Sequence, residues 1–388
     1  MPATPLSNRL KVALIAETTN AYGRSLVKGV VSYMRKNRPW SIQLFEQDWY
    51  HNPAKTIAKT MDKWKGDGII ARIETPEIAE ALKNVTVPMV DLSSTRLMPG
   101  IPWFENDYRL IAQASFEHFH QRGLKSFAYC GEFRYNWARW MGEHFVSIVT
   151  AAGYPCEVFD NSPTHGARPD EGLAAWLKKL PKPAGLLAGN DFNGRIVLEL
   201  CRHEGICVPD EIAVLGGDND EVYCELSDPP LSSIQQNGVR VGYEAAAALD
   251  KMMMGESITT EGIFVPPIGV VTRQSTDVLA IEDRNIAKVV SYIRDHACEG
   301  INVKDVLRHN PQSRRLLEAR FKAILGHSPH DEILNIRIAR VKKLLVESDL
   351  NMERISELSG FTYVEYLSVA FKRLVGVAPS VYRREHQR

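Results

Sequence analysis

The sequence predicts a two-lobed α/β domain at residues 1–273, a linker at 274–283 and an all-α domain at 284–388. Short apolar runs alternate with helix-period segments through about the first 270 residues, a pattern typical of parallel sheets covered by helices. The alternation starts afresh near residue 110, which indicates a second lobe. From residue 284 onward the sequence carries only helical periodicity.

The first lobe opens with the run Lys-Val-Ala-Leu-Ile-Ala at 11–16, which predicts a buried strand. The next predicted element is a helix at 23–36, because its apolar residues recur at helical spacing on one face. Further strands are predicted at 42–45, 68–70 and 87–92, with a helix at 56–65. This order of strands and helices predicts a parallel sheet with a helical layer on each face.

The second lobe repeats the pattern. Strands are predicted at 127–130, 186–188 and 213–216, and helices at 110–122, 140–152, 194–204 and 238–254. Gly123, Gly153 and Gly205 each follow a predicted helix, where glycine commonly ends helices. Ligands of parallel sheets bind beyond the carboxyl ends of the strands. We therefore expect a ligand cleft between the lobes, lined by the loops that follow each strand.

Two similar segments of the C-terminal domain predict two helix-turn-helix units. The first has a helix at 303–307, a break at Asn310-Pro311 and a helix at 313–322. The second has a helix at 352–358, a break at 359–361 and a helix at 363–372. A longer helix is predicted between them at 333–346. In such units the second helix fits the DNA major groove, where the base edges are readable.

The stretch at 355–382 resembles the AraC family of bacterial regulators. It carries Phe371-Lys372, a Gly-x-x-Pro at 376–379 and Tyr382-Arg383, as that family does. The resemblance covers about 100 residues and implies binding to double-stranded promoter DNA. One departure is Pro311, which stands where the family usually has glycine in the first turn. Proline cannot adopt a positive φ, so we expect the first turn to differ locally.

Position within the two units gives candidate DNA contacts. Arginine can grip guanine with two hydrogen bonds, which favours Arg314 and Arg315 as base readers. Lys372 and Arg373, with Arg383, are expected to meet phosphates. Each candidate could instead lie on a solvated helix face. The remaining candidate groove residues are Ser313, Glu318, Tyr363, Glu365 and Tyr366.

Residues 10–272 resemble the periplasmic-binding-protein-like sensor of LacI/GalR regulators. The resemblance rests on an Arg-x-x-Gly at 139–142, Asn190-Asp191, Gly-Gly-Asp-Asn at 216–219 and Pro-Leu-Ser-Ser-Ile at 230–234. It implies that Arg139, Asp191 and Asp218 touch a small-molecule effector. Carboxylates and the arginine fork suit the hydroxyl groups of a sugar, and aromatic rings suit its apolar face. Further candidates in nearby loops are Asn20, Arg24, Trp49, Trp137, Trp140 and Phe192.

A LacI-type sensor joined to an AraC-type DNA-binding domain is an uncommon order, and it resembles regulators of xylose catabolism. The shared fragments are Ala-Tyr-x-Arg at 21–24, Arg139-Trp140 and Tyr-Ile-Arg-x-His-Ala-Cys at 292–298. The resemblance implies D-xylose or a related pentose as effector and a homodimer. It also implies activation of transcription with RNA polymerase as partner. Another sugar or small polar metabolite stays open as the effector.

Composition and motifs narrow the function classes. Residues 282–388 hold 19 Lys and Arg against 14 Asp and Glu in a chain of zero net charge. This suits a phosphate partner, although solubility alone would also explain it. The six cysteines show no paired spacing, so we expect reduced thiols. The histidines do not cluster with Cys or Asp at metal spacing, so we expect no metal, and we expect no cofactor. The polar residues 1–9 and the lack of a long apolar run predict a cytoplasmic protein without membrane contact.

Two other function classes are weaker. A sugar-acting enzyme would need a catalytic motif, but the sequence has no Gly-x-Ser-x-Gly, phosphate loop or nucleophile arrangement. A sugar-transport module would need an export signal, and it would not need the C-terminal domain. We therefore expect a regulator and not an enzyme.

Overall fold

A computed structural model describes residues 9–46, 54–61, 64–162, 169–277 and 283–386. The chain divides into two compact units, Met1–Val278 and Leu279–Arg388. The first unit is α/β and consists of two lobes, and the second unit is helical. Among the helices described, none combines the length and the apolar character that a membrane span requires.

The first lobe contains a four-stranded parallel sheet in the order β2-β1-β3-β4. A short parallel pair, β5 with β11, lies in the same lobe. Its elements are β1 Lys11–Ala16, α1 Ala21–Lys36, β2 Ser41–Glu46, α2 Ala54–Met61, β3 Gly68–Ala71, α3 Pro76–Leu82, β4 Met89–Asp91, β5 Phe104–Asn106, α9 Gly238–Met253 and β11 Ile263–Val265.

Alternation along β1 explains the two helical layers of this lobe. Val12 and Leu14 pack on one face with residues of α1 and α9. Ala13 and Ile15 pack on the other face with residues of α2 and α3. Because successive strand residues point to opposite faces, a strand buried on both faces needs a continuous apolar run.

The second lobe contains a six-stranded sheet in the order β12-β10-β9-β8-β6-β7, in which only β12 is antiparallel to its neighbour. Apolar cores cover both faces, one beside α4 and α5 and the other beside α6 and α7. Its elements are α4 Tyr108–His120, β6 Phe127–Gly131, α5 Asn136–Ala151, β7 Cys156–Asp160, α6 Pro169–Lys179, β8 Ala184–Ala188, α7 Asp191–His203, β9 Ile212–Gly217, α8 Glu221–Leu226, β10 Ser232–Gln235 and β12 Gly269–Val271.

The described chain passes between the lobes three times: after β5, after β10 and after β11. Polar contacts join these crossings. The Asn106 side chain donates to the Gln236 side chain at 2.6 Å, and the Asp107 amide donates to the Val265 carbonyl at 2.8 Å. The crossings therefore form a hinge region at the inner edge of the cleft.

The second lobe extends further along the chain than the sequence predicts. Residues Gln274–Thr276, assigned above to the linker, form a short 3-10 turn whose Ser275 and Thr276 are fully buried. The Ser275 hydroxyl donates to the Val214 carbonyl at 2.6 Å, and the Thr276 hydroxyl lies 2.7 Å from the His118 ring. These buried contacts hold residues 274–276 on the lobe, so a flexible linker cannot begin at residue 274.

The second unit is a chain of helices, with a 3-10 turn at Ala297–Glu299. The described helices are α10 Arg284–His296, α11 Val303–His309, α12 Arg314–Leu325, α13 Pro329–Glu347, α14 Met352–Leu358, α15 Val364–Val375 and α16 Pro379–His386. The long helix α13 contributes residues to both apolar cores of this unit. Ile333 packs in the core around Phe321, and Val341 packs in the core around Phe371. One helix therefore joins two similar helix-turn-helix units.

The two turns differ. The first spans residues 310–313, whereas the second spans residues 359–363 and is one residue longer. Gly360 adopts a positive φ of 75° in the second turn, but no residue of the first turn does so. This agrees with the expectation from Pro311, whose ring restricts φ to negative values.

Candidate functional site

The cleft between the lobes is lined by loops that follow parallel strands. Asn20 caps α1 in the first lobe, where its side chain accepts a hydrogen bond from the Gly23 amide at 2.7 Å. Asn190 caps α7 in the second lobe, where it accepts from the Asn193 amide at 2.9 Å. Such caps satisfy free amides at a helix start and fix the loop that precedes the helix. Both caps therefore hold polar loops at the carboxyl edges of the two sheets.

Asp191 lies under the floor of the cleft and is only 1% exposed. Its two carboxylate oxygens accept hydrogen bonds from the Ser233 hydroxyl and the Asp220 amide, each at 2.6 Å. Burial raises the pKa of Asp191 to about 7, although both donors lower it. A Cβ at Gly216 would lie 2.2 Å from this carboxylate, so glycine leaves the necessary room. Asp191 thus holds the turn that follows β9.

That turn carries Asp218, which adopts a positive φ of 103° beside Asn219 at 51°. Such backbone strain in non-glycine residues clusters at binding sites. The Asp218 carboxylate accepts a hydrogen bond from the Gln236 side chain at 2.7 Å. Burial raises the pKa of Asp218, and the nearby Asp191 raises it further. The strained turn thus sets a second carboxylate beside the hinge.

Arg24 connects the two lobes. Its guanidinium donates to the carbonyls of Thr18 and Thr19 at 3.1 and 2.7 Å, and lies 3.6 Å from the Asp220 carboxylate of the second lobe. The Ala21 amide, at the start of α1, also donates to Asp220 at 3.2 Å. The first turn of α1 therefore meets the turn after β9 directly.

A buried polar cluster on the first-lobe side of the hinge was not predicted from the sequence. The Tyr22 hydroxyl donates to Glu105 and accepts from the Asn106 amide group, both at 2.8 Å. Burial raises the pKa of Glu105. The Arg72 guanidinium lies 5.4 Å from the Tyr22 ring centre. Position could have revealed these residues, because Arg72 directly follows β3 and Asn106 ends β5.

Four of the remaining cleft candidates lie at the starts of α5 and α7. Arg139 is exposed and donates to the Asn136 side chain. Trp140 is half-buried against Trp103, with ring centres 6.1 Å apart. Phe192 is 42% exposed and meets Tyr223 edge-on. Trp137 packs against the core beside α4 and α5, and Trp49 lies outside the described residues.

The first candidate DNA-reading helix is α12. Ser313 caps this helix by accepting from the Leu316 amide at 3.3 Å, so its hydroxyl already has a structural role. Arg314 pairs with Glu318 at 2.8 Å on the exposed side. Arg315 is exposed and forms no ion pair within the part of the chain that the structure describes. Of the two arginines, Arg315 is the one whose guanidinium has no competing carboxylate among the described residues.

The corresponding helix of the second unit is α15. Tyr363, at its N-cap, is 68% exposed, and Tyr366 is 44% exposed. Glu365 is also exposed, and the Tyr366 ring packs edge-on against the buried Phe361, with centres 5.8 Å apart. The N-terminal half of α15 thus offers two aromatic rings and one carboxylate.

Among the basic candidates for phosphate contacts, Lys372 and Arg373 are exposed near the end of α15. Arg383 is held by its own unit, because its guanidinium donates to the carbonyls of Leu350 and Leu345 at 2.6 and 3.4 Å. Those carbonyls follow or end α13, where helix carbonyls lack partners. Arg383 therefore stabilises the fold, and the expectation that it mainly meets phosphate has no support in this geometry.

A hinged two-lobed cleft in one unit and two helix-turn-helix units in the other define a ligand-responsive, DNA-binding transcription regulator. The comparisons with known proteins agree. The chain matches a XylR N-terminal domain at residues 11–100, a periplasmic binding protein-like domain at 116–276 and a helix-turn-helix domain at 309–385.

Relatives over the full length specify the family. The xylose operon regulatory protein of Haemophilus influenzae is 30% identical, over 96% of this chain and 98% of that protein. The Escherichia coli K12 protein of the same name is 31% identical, over 97% of each. The chain belongs to the family of xylose operon regulatory proteins. These relatives are regulators, so the chain is not an enzyme.

A solved structure agrees with this assignment. The structure of the xylose-binding transcription activator XylR aligns with a TM-score of 0.82 at 30% identity, over 99% of this chain and all of that one. A periplasmic binding protein/LacI regulator from Alkaliphilus metalliredigens, solved with D-xylulofuranose, aligns with a TM-score of 0.56 at 18% identity over 69% of this chain. The second likeness is one of fold alone.

Proposed function

We propose that D-xylose or a closely related pentose binds in the interlobe cleft and that the chain then activates xylose-utilisation genes. The observation that carries this proposal is the polar cleft itself. Asp191, Asp218, Asp220 and Arg24 meet there, beside the hinge. The names of the two full-length relatives and of the aligned activator support xylose in particular.

The proposed sugar contacts divide by chemistry. Asn20, Arg24, Arg139 and Asp218 bind the hydroxyl groups, because carboxylate, amide and guanidinium groups together match their donors and acceptors. Asp191, expected from the sequence to touch the effector, instead acts from beneath: it is only 1% exposed and both its carboxylate oxygens are engaged, so it positions the turn that carries Asp218. Trp140 and Phe192 cover the apolar face of the ring. Support for the aromatic pair is weaker, since Trp140 also packs against Trp103.

The proposed DNA contacts lie on α12 and α15. Arg314, Arg315 and Glu318 on α12, with Ser313 at its start, face the groove of one half-site. Glu365 and Tyr366 on α15, with Tyr363 at its start, face the groove of the next half-site. Lys372 and Arg373 meet phosphates, whose neutralisation releases counterions and makes the affinity depend on salt.

Sugar and DNA binding are proposed to be coupled through lobe closure. Coupling free energies between sites are typically about 1–3 kcal/mol, which corresponds to about 5–150-fold in affinity. We further propose that the chain acts as a homodimer in the cytoplasm, where its DNA target is, and that RNA polymerase is its partner in activation. A dimer would double the number of DNA contacts and so raise the affinity for a two-part site.

A thermal-shift screen of pentoses and hexoses on the full chain tests the effector. D-xylose at saturating concentration should raise the melting temperature of the sensor unit by several degrees, because a ligand stabilises the state that it binds. Asp218→Ala should abolish this shift, whereas Glu199→Gln, which breaks the Arg195–Glu199 surface pair, should retain it. If a hexose but no pentose gives a shift, the proposed effector is wrong. If no monosaccharide does, the cleft is not a sugar site.

A further inference from the structure

The outer face of α15 carries exposed apolar side chains. Val369 is 68% exposed and Tyr366 is 44% exposed. Residues three apart are neighbours on a helix, so the two side chains form one patch. The buried residues of the helix, Leu367, Ala370 and Phe371, face its own core. The exposed part of the patch, most of all Val369, therefore adds little to the packing of the second unit and is free to meet a partner.

One side of this patch has a fixed position. The Tyr366 ring contacts Phe361, which is only 5% exposed and itself lies 5.7 Å from the Arg337 guanidinium. Val369 has a branched side chain with one preferred rotamer in a helix. Both groups are thus positioned before any partner binds, and their ordering would cost little entropy.

The matching face of α12 differs at two positions, whereas the position of Tyr366 is occupied there by Leu316, which is also apolar and 46% exposed. Phe321 and Phe371 are equivalent core residues, both fully buried. Counting back six residues from each aligns Arg315 with Glu365. Counting back two aligns Ala319 with Val369. The same positions therefore present a cation and a methyl group on α12, but a carboxylate and a bulky apolar group on α15.

We propose that α15 reads the 5-methyl groups of thymines through Val369 and Tyr366, while α12 reads guanine through Arg315. The inference rests on DNA binding by the second unit. Valine can neither donate nor accept a hydrogen bond, and the thymine methyl is the apolar group on the major-groove edges of the base pairs. The half-site under α15 is therefore thymine-bearing at the position that Val369 reaches, and Val369 is a specificity-determining residue.

Uracil substitution tests this proposal, because uracil differs from thymine only by the missing methyl. The full chain, with D-xylose present, selects duplexes from a randomised pool. Each thymine of the selected duplex is then replaced by uracil in turn, and fluorescence anisotropy gives the Kd. At one or more thymines of one half-site, the loss of the methyl should weaken binding about three- to fivefold, as expected for one buried methyl group.

Replacing Val369 itself completes a double-substitution cycle between this side chain and the thymine methyl. Val369→Ala should weaken binding to the thymine duplex by a similar factor and remove the difference between thymine and uracil at one position. Ile324→Ala, a truncation that removes one carbon more at a 42% exposed residue of α12, should leave that difference intact. Thermal melts of both variants should match the wild type, since both side chains are exposed.

Three results would overturn the proposal: a selected half-site without thymine, tolerance of uracil at every position, or continued methyl discrimination by Val369→Ala. Failure to select any duplex would instead refute DNA binding itself, on which the proposal rests. The two failures are therefore distinguishable in one series of measurements.

Discussion

The Asp191 carboxylate accepts a 2.6 Å hydrogen bond from the Ser233 hydroxyl under the floor of the interlobe cleft. Asp191 is the first residue of α7, which follows β8, and Ser233 lies in β10, two strands away from β8 in the sheet. The hydrogen bond therefore connects the start of this helix to a strand that is not adjacent to β8. Both residues are at most 1% exposed. The floor of the cleft is therefore held by a buried polar contact as well as by apolar packing.

Ser233→Ala should destabilise the sensor unit by about 1–3 kcal/mol, because it leaves a buried carboxylate oxygen without that donor. Urea unfolding of the full chain at neutral pH measures the change. Ser147→Ala, at an exposed position of α5, serves as the matched control and should have almost no effect. Equal stability of the two variants would mean that the bond contributes nothing.

The pH dependence of stability should report Asp191. Its pKa is raised to about 7 in the folded protein, with burial as the main cause, from a usual value of 3.8. Between those values the folded state keeps a proton that the unfolded state has released. The unfolding free energy should therefore fall as the pH rises through this window, by up to about 1.4 kcal/mol per pH unit from this group.

Asp191→Asn removes this titration, so the stability of the wild type relative to the variant should decline as the pH rises from 3.8 to about 7 and level off above that value. Urea titrations at several pH values on both proteins give the comparison. Parallel curves for the two proteins would show that Asp191 is already ionised in the folded state at low pH.

Local patterns predicted the long buried elements but not the short or mixed ones. The run at 11–16 matches β1 residue for residue: after the exposed Lys11 its five residues are apolar and buried, as expected of a strand covered on both faces. The strands β11 and β12 have three residues each, too few to show a period. Ser275 and Thr276 are polar yet fully buried, and their partners lie more than 40 residues away along the chain.

The candidate site shows the same limit. Position after a strand was enough to find Asp191 and Asp218, but not their partners. The Asp191 carboxylate is occupied by hydrogen bonds from the Asp220 amide and the Ser233 hydroxyl. The sequence pattern does not relate either donor to Asp191, so it could not show that this carboxylate is engaged within the protein. Arg383 was likewise assigned to phosphate because its acceptor, the Leu350 carbonyl, can be found only in three dimensions.

The ion pair of Arg24 and Asp220 should favour the closed cleft, because it joins the two lobes. Asp220→Asn keeps a side-chain oxygen that can cap α8 but removes the charge. We expect the affinity for D-xylose to fall about two- to fivefold, the range for a partly exposed pair. Isothermal titration calorimetry measures it, with Glu199→Gln as the control. An unchanged affinity for D-xylose would show that the ion pair does not stabilise the closed form of the cleft.

Gly360→Ala should destabilise the helical unit more than Gly326→Ala does. Both glycines have a positive φ, 75° and 79°, which costs an alanine about 1–2 kcal/mol. Only at Gly360 would the added Cβ also meet backbone atoms, at 2.8 Å from the carbonyl oxygens of Ala297 and Cys298. Thermal melts of the two variants separate backbone strain from steric overlap, and equal shifts would argue against overlap.

Arg315→Ala should weaken operator binding more than Arg314→Ala does. Arg314 must leave its 2.8 Å pair with Glu318 before it can reach a base, whereas Arg315 has no such pair among the described residues. Loss of a bidentate contact to guanine costs about 1–3 kcal/mol, or about 5–150-fold in affinity, and relaxes selection at one base pair. Anisotropy titrations with a selected duplex and its single-base variants measure both effects.

Glu318→Gln provides the complementary test, because it weakens the competing pair and should raise the contribution of Arg314. If Arg314→Ala proves the more damaging change in the wild type, the pair with Glu318 must open on DNA and does not set which arginine reads the base.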